Sequence, residues 1–120
     1  MTDADAMEIG NQVTIEDFER IDIRVGRIVA AEPFPAARKP AYKLTIDFGP
    51  LGIRRSSVQI TQLYTLEDLP RRLVLAVLNF PPRKIAGFNS EVLVLGVPDH
   101  DGNVVLLEPE REAPLGGRAF

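Results

Sequence analysis

Proline and glycine interrupt this chain so often that they constrain its fold more than any other feature. The 120 residues include ten prolines and nine glycines. A proline inside a helix removes a backbone hydrogen bond, and a glycine there costs conformational entropy. This frequency is too high for a helical bundle, and it favours short strands joined by tight turns.

Alternation of apolar and polar residues predicts half-buried strands over two stretches. The first covers residues 21–29 and carries Gly26 on its polar phase, where we expect a bulge or a bend. The second covers residues 42–48 and returns as a hairpin through residues 53–60. Its predicted core face consists of Tyr42, Leu44, Ile46 and Phe48.

The remaining pattern supplies further short elements. Apolar runs at 73–78 and 92–95 predict core strands, and the turn at 99–102 predicts another hairpin. One short helix is expected over 14–18, with Thr14 as its N-cap and Asp17 completing a capping box. Another is expected over 61–69, where Pro70 ends it.

These elements predict an all-β protein of the OB-fold type. That fold is a five-stranded Greek-key β-barrel, and here it carries a short N-terminal helix, a helix between strands 3 and 4, and an extra C-terminal hairpin and tail. A β-sandwich is the alternative, because it uses about seven strands within about 100 residues. The length suits one domain, residues 14–120, preceded by a flexible polar segment over 1–13.

The sequence lacks the residues that most enzymatic reactions require. The absence of cysteine excludes disulfides, thiolate catalysis and Cys-based metal sites. His100 is the only histidine, it lies in a turn, and no serine stands in a nucleophile-elbow motif. We therefore expect a binding protein with no catalytic residues, no metal and no cofactor.

The distribution of charge is more informative than the net charge of −3. Residues 23–90 carry eleven basic and four acidic side chains, a balance of +7, whereas both ends of the chain are acidic. Basic pairs fall in predicted loops or next to turns, at Arg38-Lys39, Arg54-Arg55 and Arg83-Lys84. Arginine and lysine at such positions can bind phosphate or carboxylate groups.

Aromatic side chains are interleaved with these basic pairs. Phe34 and Phe88 stand on predicted loops, and we expect them to be exposed apolar contacts. Phe80 lies beside the third basic pair, whereas Tyr42 and Phe48 fit the core face better than a ligand surface. A surface that combines cations with aromatic rings suits either a polypeptide or single-stranded nucleic acid.

Two separated blocks resemble the tRNA-binding domain family, which includes C-terminal domains of some methionyl- and tyrosyl-tRNA synthetases. The first block is Ile21–Gly26 with Ala37–Leu44, and the second, Asn79–Ser90, is similar to the family motif N-x-x-P-R-K-x-x-G-x-x-S. The resemblance covers about residues 14–120 and is strongest to free-standing bacterial chaperones of protein secretion. It implies an OB-fold homodimer that binds unfolded or export-bound polypeptides, works with the Sec export machinery and retains a tRNA-binding surface.

The resemblance and the residue types together predict two sets of ligand contacts. Peptide contacts are expected from Phe34, Phe80, Phe88, Arg38, Lys39 and Tyr42. Contacts to tRNA are expected from Lys43, Asn79, Arg83, Lys84 and Ser90. Where tRNA-binding members follow the motif serine with Gly-Met, this chain has Glu91-Val92, and a carboxylate beside phosphates would be repulsive.

Location and assembly are predicted from the ends of the chain. No apolar run approaches the roughly 18 residues of a membrane-spanning helix, and the acidic start is unlike a signal peptide. We therefore expect a cytoplasmic protein. Apolar groups up to Phe18 and over 115–120 have no obvious partner, which predicts pairing across a two-fold axis.

Overall fold

The computed structural model describes residues 7–120, so the first six residues of the predicted flexible segment 1–13 lie outside the described residues. Helix α1 is Ile15–Glu19. The Thr14 hydroxyl accepts a hydrogen bond from the Asp17 backbone N–H, and the Asp17 carboxylate accepts one from the Thr14 N–H, each at 3.1 Å. The predicted capping box is therefore confirmed, and it sets where this short helix begins.

Nine strands follow, and five of them form the antiparallel barrel sheet. In chain order they are β1 Ile23–Pro33, β2 Tyr42–Asp47, β3 Ile53–Val58, β4 Leu73–Val77, β5 Arg83–Ile85, β6 Phe88–Ser90, β7 Leu93–Val94, β8 Gly96–Pro98 and β9 Val104–Leu106. The barrel order is β3-β2-β1-β4-β7, with β3 approaching β7 to leave a nearly closed barrel. The predicted OB-fold is confirmed.

The two remaining sheets are hairpins attached to this barrel. One pairs β5 with β6, and the other pairs β8 with β9 around the turn predicted at residues 99–102. After β9, the tail returns to the start of β1, where the Val25 N–H donates to the Gly117 carbonyl at 2.9 Å. The extra C-terminal hairpin and tail are thus present. No helix among residues 7–120 is long and apolar enough to cross a membrane.

The alternation over residues 42–48 places the core as predicted. Leu44, Ile46 and Phe48 are completely buried inside the barrel. Gly26 is also buried, but the bulge lies elsewhere, at Val29, where the register between β1 and β2 shifts. The glycine instead allows the Ile46 and Phe48 side chains to pack directly on the β1 backbone.

The helix expected over residues 61–69 is not formed, and this part of the prediction is wrong. The segment makes successive turns between β3 and β4, with hydrogen bonds such as Tyr64 N–H to Ile60 C=O at 3.3 Å. A helix this short has little cooperativity of its own. The conformation of this segment is determined by its tertiary contacts, because Leu69 is fully buried and Tyr64 packs against the core.

Glu91 joins β3 to the chain between β6 and β7, at the seam of the barrel. Its backbone N–H donates to the Arg55 carbonyl at 2.8 Å, and its side-chain oxygen accepts from the Arg55 N–H at 2.9 Å. The Glu91 carboxylate thus accepts the hydrogen bond that the backbone carbonyl of a neighbouring strand would accept in a continuous sheet. The residue that departs from the family motif therefore has a structural role in closing the barrel.

Candidate ligand-binding surface

A groove next to the seam brings the two sequence blocks together. It has a volume of about 780 Å³, and its walls come from the loop after β1, the end of β3 and the β5 strand. We call it the basic groove, and its lining residues are Ala37, Arg38, Lys39, Ala41, Ser57, Gln59, Arg83, Lys84, Ile85 and Ala86. Two basic pairs that are more than forty residues apart in the chain thus share one surface.

All charged side chains that line the basic groove are positive. Within the described residues no acidic side chain lines it, and its four cations, Arg38, Lys39, Arg83 and Lys84, are exposed and form no ion pair. Six arginines elsewhere in residues 7–120 do form ion pairs, and Arg24, for example, contacts Asp22 at 2.6 Å. The concentration of uncompensated charge in a concave site favours an anionic ligand.

Phe34 and Phe88 are buried, so the expectation that they are exposed is wrong. They retain 5% and 8% of their accessible surface and form a second small core with Ala41. Their ring centroids are 5.5 Å apart in a tilted arrangement. The two rings are far apart in the sequence. The fold places the loop after β1 against β6, so that the Phe34 and Phe88 rings bury each other.

Two cations lie over these rings. The Lys43 ammonium is 4.7 Å from the Phe34 centroid and 5.2 Å from that of Phe88, while the Arg55 guanidinium is 4.8 Å from Phe88. Such contacts contribute about 0.5–2 kcal/mol each, depending on desolvation. Phe34 and Phe88 therefore hold Lys43 and Arg55 in place at a second groove that also contains Glu91.

Asn79 and Ser90, two residues of the predicted tRNA set, make internal hydrogen bonds. The Asn79 amide accepts from the Asp22 N–H at 2.9 Å and donates to the Arg20 carbonyl at 2.7 Å. The buried Ser90 hydroxyl accepts from the Ser57 N–H at 3.0 Å. Both side chains thus connect segments that are far apart in the sequence. A direct contact of Asn79 or Ser90 with RNA stays a prediction.

Tyr42 lies partly against the core, in keeping with its place on the predicted core face. Its hydroxyl donates to the Tyr64 carbonyl at 2.8 Å, while its ring borders a shallow pocket next to Phe34 and Thr61. The hydroxyl is therefore occupied, and the ring is the part of Tyr42 that we assign to the pocket.

Phe80 is the exposed aromatic of the predicted peptide set, with 45% of its surface accessible. It lines a smaller pocket of about 200 Å³ together with Pro81 and Leu93, the latter also 45% exposed. We call Phe80, Pro81 and Leu93 the apolar strip. This pocket shares Ser57, Arg83 and Ile85 with the basic groove, so the two surfaces are continuous.

Sequence reasoning missed Leu93 and Gln59 as surface residues of this site. Leu93 lies in an apolar run and was expected in the core, and Gln59 carries no motif. Within the described part of the chain, no cluster of three or more His, Cys, Asp or Glu side chains is placed to hold a metal ion. The arrangement can bind an elongated ligand that has anionic groups and an apolar part.

Comparisons with known proteins agree with this geometry. The family described as "Putative tRNA binding domain" matches residues 23–118. The solved structure of chaperone CsaA from Bacillus anthracis is 49% identical with a TM-score of 0.86, covering 92% of this chain and 100% of that one. CsaA from Picrophilus torridus is 48% identical with a TM-score of 0.84, covering 91% of this chain and 100% of that one.

Curated relatives are much longer proteins. A methionine–tRNA ligase of Archaeoglobus fulgidus is 38% identical over 117 residues, which are 97% of this chain but only 17% of that enzyme. The chain therefore corresponds to one domain of the ligase. With the barrel, the two sequence blocks and the family match in agreement, this chain belongs to the tRNA-binding domain family.

Proposed function

We propose that this protein is a chaperone that binds unfolded, export-bound polypeptides in the cytoplasm and delivers them to the Sec machinery. The observation that carries the proposal is the continuity of the apolar strip with the basic groove. Similarity to CsaA chaperones over the whole of their chains supports the same function.

The surface suits an extended segment with mixed side chains. Phe80 and Leu93 would cover an apolar side chain of the client, since exposed apolar area gains free energy on burial. Carboxylates on either side of that residue would meet Arg38 and Arg83. An unfolded chain exposes such combinations, whereas a folded protein buries the apolar part.

The double variant Phe80→Ser with Leu93→Ser tests this function. We expect it to bind a reduced, carboxymethylated test protein about tenfold more weakly than the wild type, because two apolar contacts are lost. Fluorescence anisotropy measures the affinity, and suppression of aggregation of a heat-denatured protein provides a second readout. The matched control is Ile53→Ser with Val97→Ser, whose side chains are 61% and 46% exposed away from the groove. Equal loss in both variants, or no wild-type binding, would contradict the proposal.

We further propose that a second copy of the chain covers the apolar groove between helix α1 and the C-terminal residues. That groove has a volume of about 660 Å³ and is lined in part by Ile15, Phe18, Ile21 and Phe120. Ile15 is 71% exposed and the Phe120 ring is fully accessible, which leaves a large apolar patch on a lone chain. A homodimer would bury this patch and place two ligand surfaces on one particle.

Sedimentation velocity tests the dimer. At tens of micromolar we expect the wild type to sediment as a dimer, and Phe18→Ser with Phe120→Ser to shift it to the monomer, because apolar area would no longer be gained on association. Ile53→Ser with Val97→Ser again serves as the control, since both residues lie outside this groove. A monomeric wild type would contradict the proposal.

Recognition of tRNA is the second candidate function, and the four cations of the basic groove, which have no acidic partner among residues 7–120, favour it. They lie on the sequence block that carries the family motif and on the loop facing it. Lys43, Arg83 and Lys84 would contact phosphates, by shape and backbone rather than by base sequence. Both functions can use one surface, in which case tRNA and polypeptide compete.

A further inference from the structure

One strand that lines the basic groove has a free edge. β5 and β6 are joined by Ala86 and Gly87, whose φ angles of 47° and 81° form a two-residue hairpin turn. In such a hairpin the flanking pair, here Ile85 and Phe88, exchanges both backbone hydrogen bonds, and the next pair does not. The N–H and C=O of Lys84 therefore point away from β6, and Lys84 is one of the residues that line the groove.

The end of β3 also lines the basic groove. The outward backbone groups of Arg55 are bound by Glu91, and the Ser57 N–H is bound by Ser90. Alternate residues of β3 direct their backbone N–H and C=O groups away from β2, and Gln59 follows Ser57 in this series. Within residues 7–120 the Gln59 backbone has no hydrogen-bond partner. The outward backbone groups of β3 are thus bonded as far as Ser57, and beyond that point Gln59 and Lys84 both line the basic groove.

We propose that the basic groove accepts an extended acidic polypeptide segment as an added strand along β5. The Lys84 N–H and C=O would pair with the main chain of that segment, as in other cases of strand addition. Its alternate side chains would carry carboxylates to Arg38, Lys39 and Arg83. This inference rests on the proposed polypeptide-binding function and specifies how the client is held.

The strand edge favours a polypeptide over a nucleic acid at this position. It offers one donor and one acceptor side by side, and an extended peptide supplies the complementary acceptor and donor. A phosphate group supplies acceptors only, so it could satisfy the Lys84 N–H but would repel the adjacent carbonyl oxygen. Pairing through the main chain is also independent of client sequence, which a chaperone requires.

A pair of substitutions at Lys84 separates its backbone from its side chain. Lys84→Pro removes the outward N–H and the charge, while Lys84→Ala removes the charge alone. Proline is compatible with an edge strand where the N–H faces outward. Asn89→Pro is the matched control, because Asn89 pairs with Lys84 and its N–H points outward on the other side of the hairpin.

The probe is a fluorescein-labelled heptapeptide that alternates glutamate with valine and threonine, compared with the same peptide N-methylated at alternate residues. We expect Lys84→Pro to bind the first peptide about tenfold more weakly than Lys84→Ala, and N-methylation to weaken wild-type binding by a similar factor. Asn89→Pro should bind as the wild type does. The Lys84 amide should also gain protection from hydrogen exchange when the peptide binds.

The outcomes distinguish this inference from the function on which it rests. Equal binding by Lys84→Pro and Lys84→Ala, together with indifference to N-methylation in the wild type, would overturn strand addition even if unfolded protein still binds. Failure of the wild type to bind any unfolded protein would contradict the chaperone function itself. Binding of tRNA with no binding of either peptide would assign the basic groove to RNA and also overturn the inference. The N-methylated peptide keeps the test valid if Lys84→Pro does not fold.

Discussion

Replacing Gly26 by alanine is expected to lower the free energy of unfolding by about 2–3 kcal/mol, the upper part of the range for overpacked cores. A Cβ atom at this position would lie 2.6 Å from the Ile46 Cγ2 atom and 2.6 Å from the Phe48 ring. Both distances are shorter than any ordinary carbon–carbon contact, so the neighbouring groups must move.

The neighbours have little freedom to move, which is why the expected effect is large. Ile46 and Phe48 are both fully buried at the centre of the barrel, and Gly26 is paired with Val74 on β4, which is also fully buried. Interiors packed at this density transmit a displacement rather than absorb it. The cost therefore includes side-chain strain and a shift of the β1 backbone.

Urea denaturation followed by circular dichroism measures the effect. The matched control is Gly10→Ala, because a Cβ atom at Gly10 meets nothing within 4 Å. We expect that variant to stay within about 0.5 kcal/mol of the wild type, as surface substitutions usually do. A Gly26→Ala protein as stable as Gly10→Ala would show that the barrel relaxes at no cost, contrary to the packing argument.

The parts of the fold that were predictable from sequence depend on neighbours in the chain. The alternation over residues 42–48 assigned Leu44 and Ile46 to the core, since side chains on a strand alternate between two faces. The capping box at Thr14 and the turn at residues 99–102 are likewise local, and each forms as predicted. Local rules were sufficient for these elements.

The errors concern residues whose partners are distant in the chain. Phe34 and Phe88 bury each other across 54 positions, and a loop-like surrounding sequence contains no sign of that pairing. Residues 61–69 form turns because tertiary contacts of Leu69 outweigh a weak helical pattern. The role of Glu91 in closing the barrel through Arg55 also depends on a distant partner and was not predicted, while its expected repulsion of phosphates stays a prediction.

The candidate site likewise combines features that were predictable from sequence with features that depend on the fold. Its cations were found from sequence, because basic pairs framed by proline and turns are visible in the chain itself. The free edge of β5 and the Gln59 backbone, which has no partner among residues 7–120, were not, since they follow from how the hairpin and the end of β3 are paired. Charge composition predicted an anionic ligand, whereas the main-chain geometry of the site required the fold.

Replacing Arg83 and Lys84 together by alanine is expected to weaken tRNA binding about 50-fold at 0.1 M salt, if each cation neutralises one phosphate. Both side chains lie in the basic groove without an acidic partner among the described residues, so their full charge is available to a ligand. Most of the affinity for a phosphate backbone comes from counterions released by such contacts. The loss should therefore be greatest at low salt.

The salt dependence distinguishes this mechanism from a general loss of structure. Removing two phosphate contacts should reduce the slope of log affinity against log salt by about 1.4–1.8, which filter binding or fluorescence anisotropy can measure. A misfolded fraction would lower the active concentration and leave the slope unchanged. The matched control is Arg20→Ala with Arg111→Ala, whose side chains are 81% and 86% exposed and line no part of the groove. It removes the same charge, so it reports the contribution of net charge alone.

Two results decide whether Arg83 and Lys84 contact the phosphates of tRNA. A 50-fold loss with the reduced slope in the groove variant, and a small change in the control, would assign the phosphates to Arg83 and Lys84. Equal affinity and slope in both variants would exclude these two residues from the RNA contact. Because neither side chain contributes to the core or to an ion pair within the described part of the chain, such a result would reflect the ligand and not the fold.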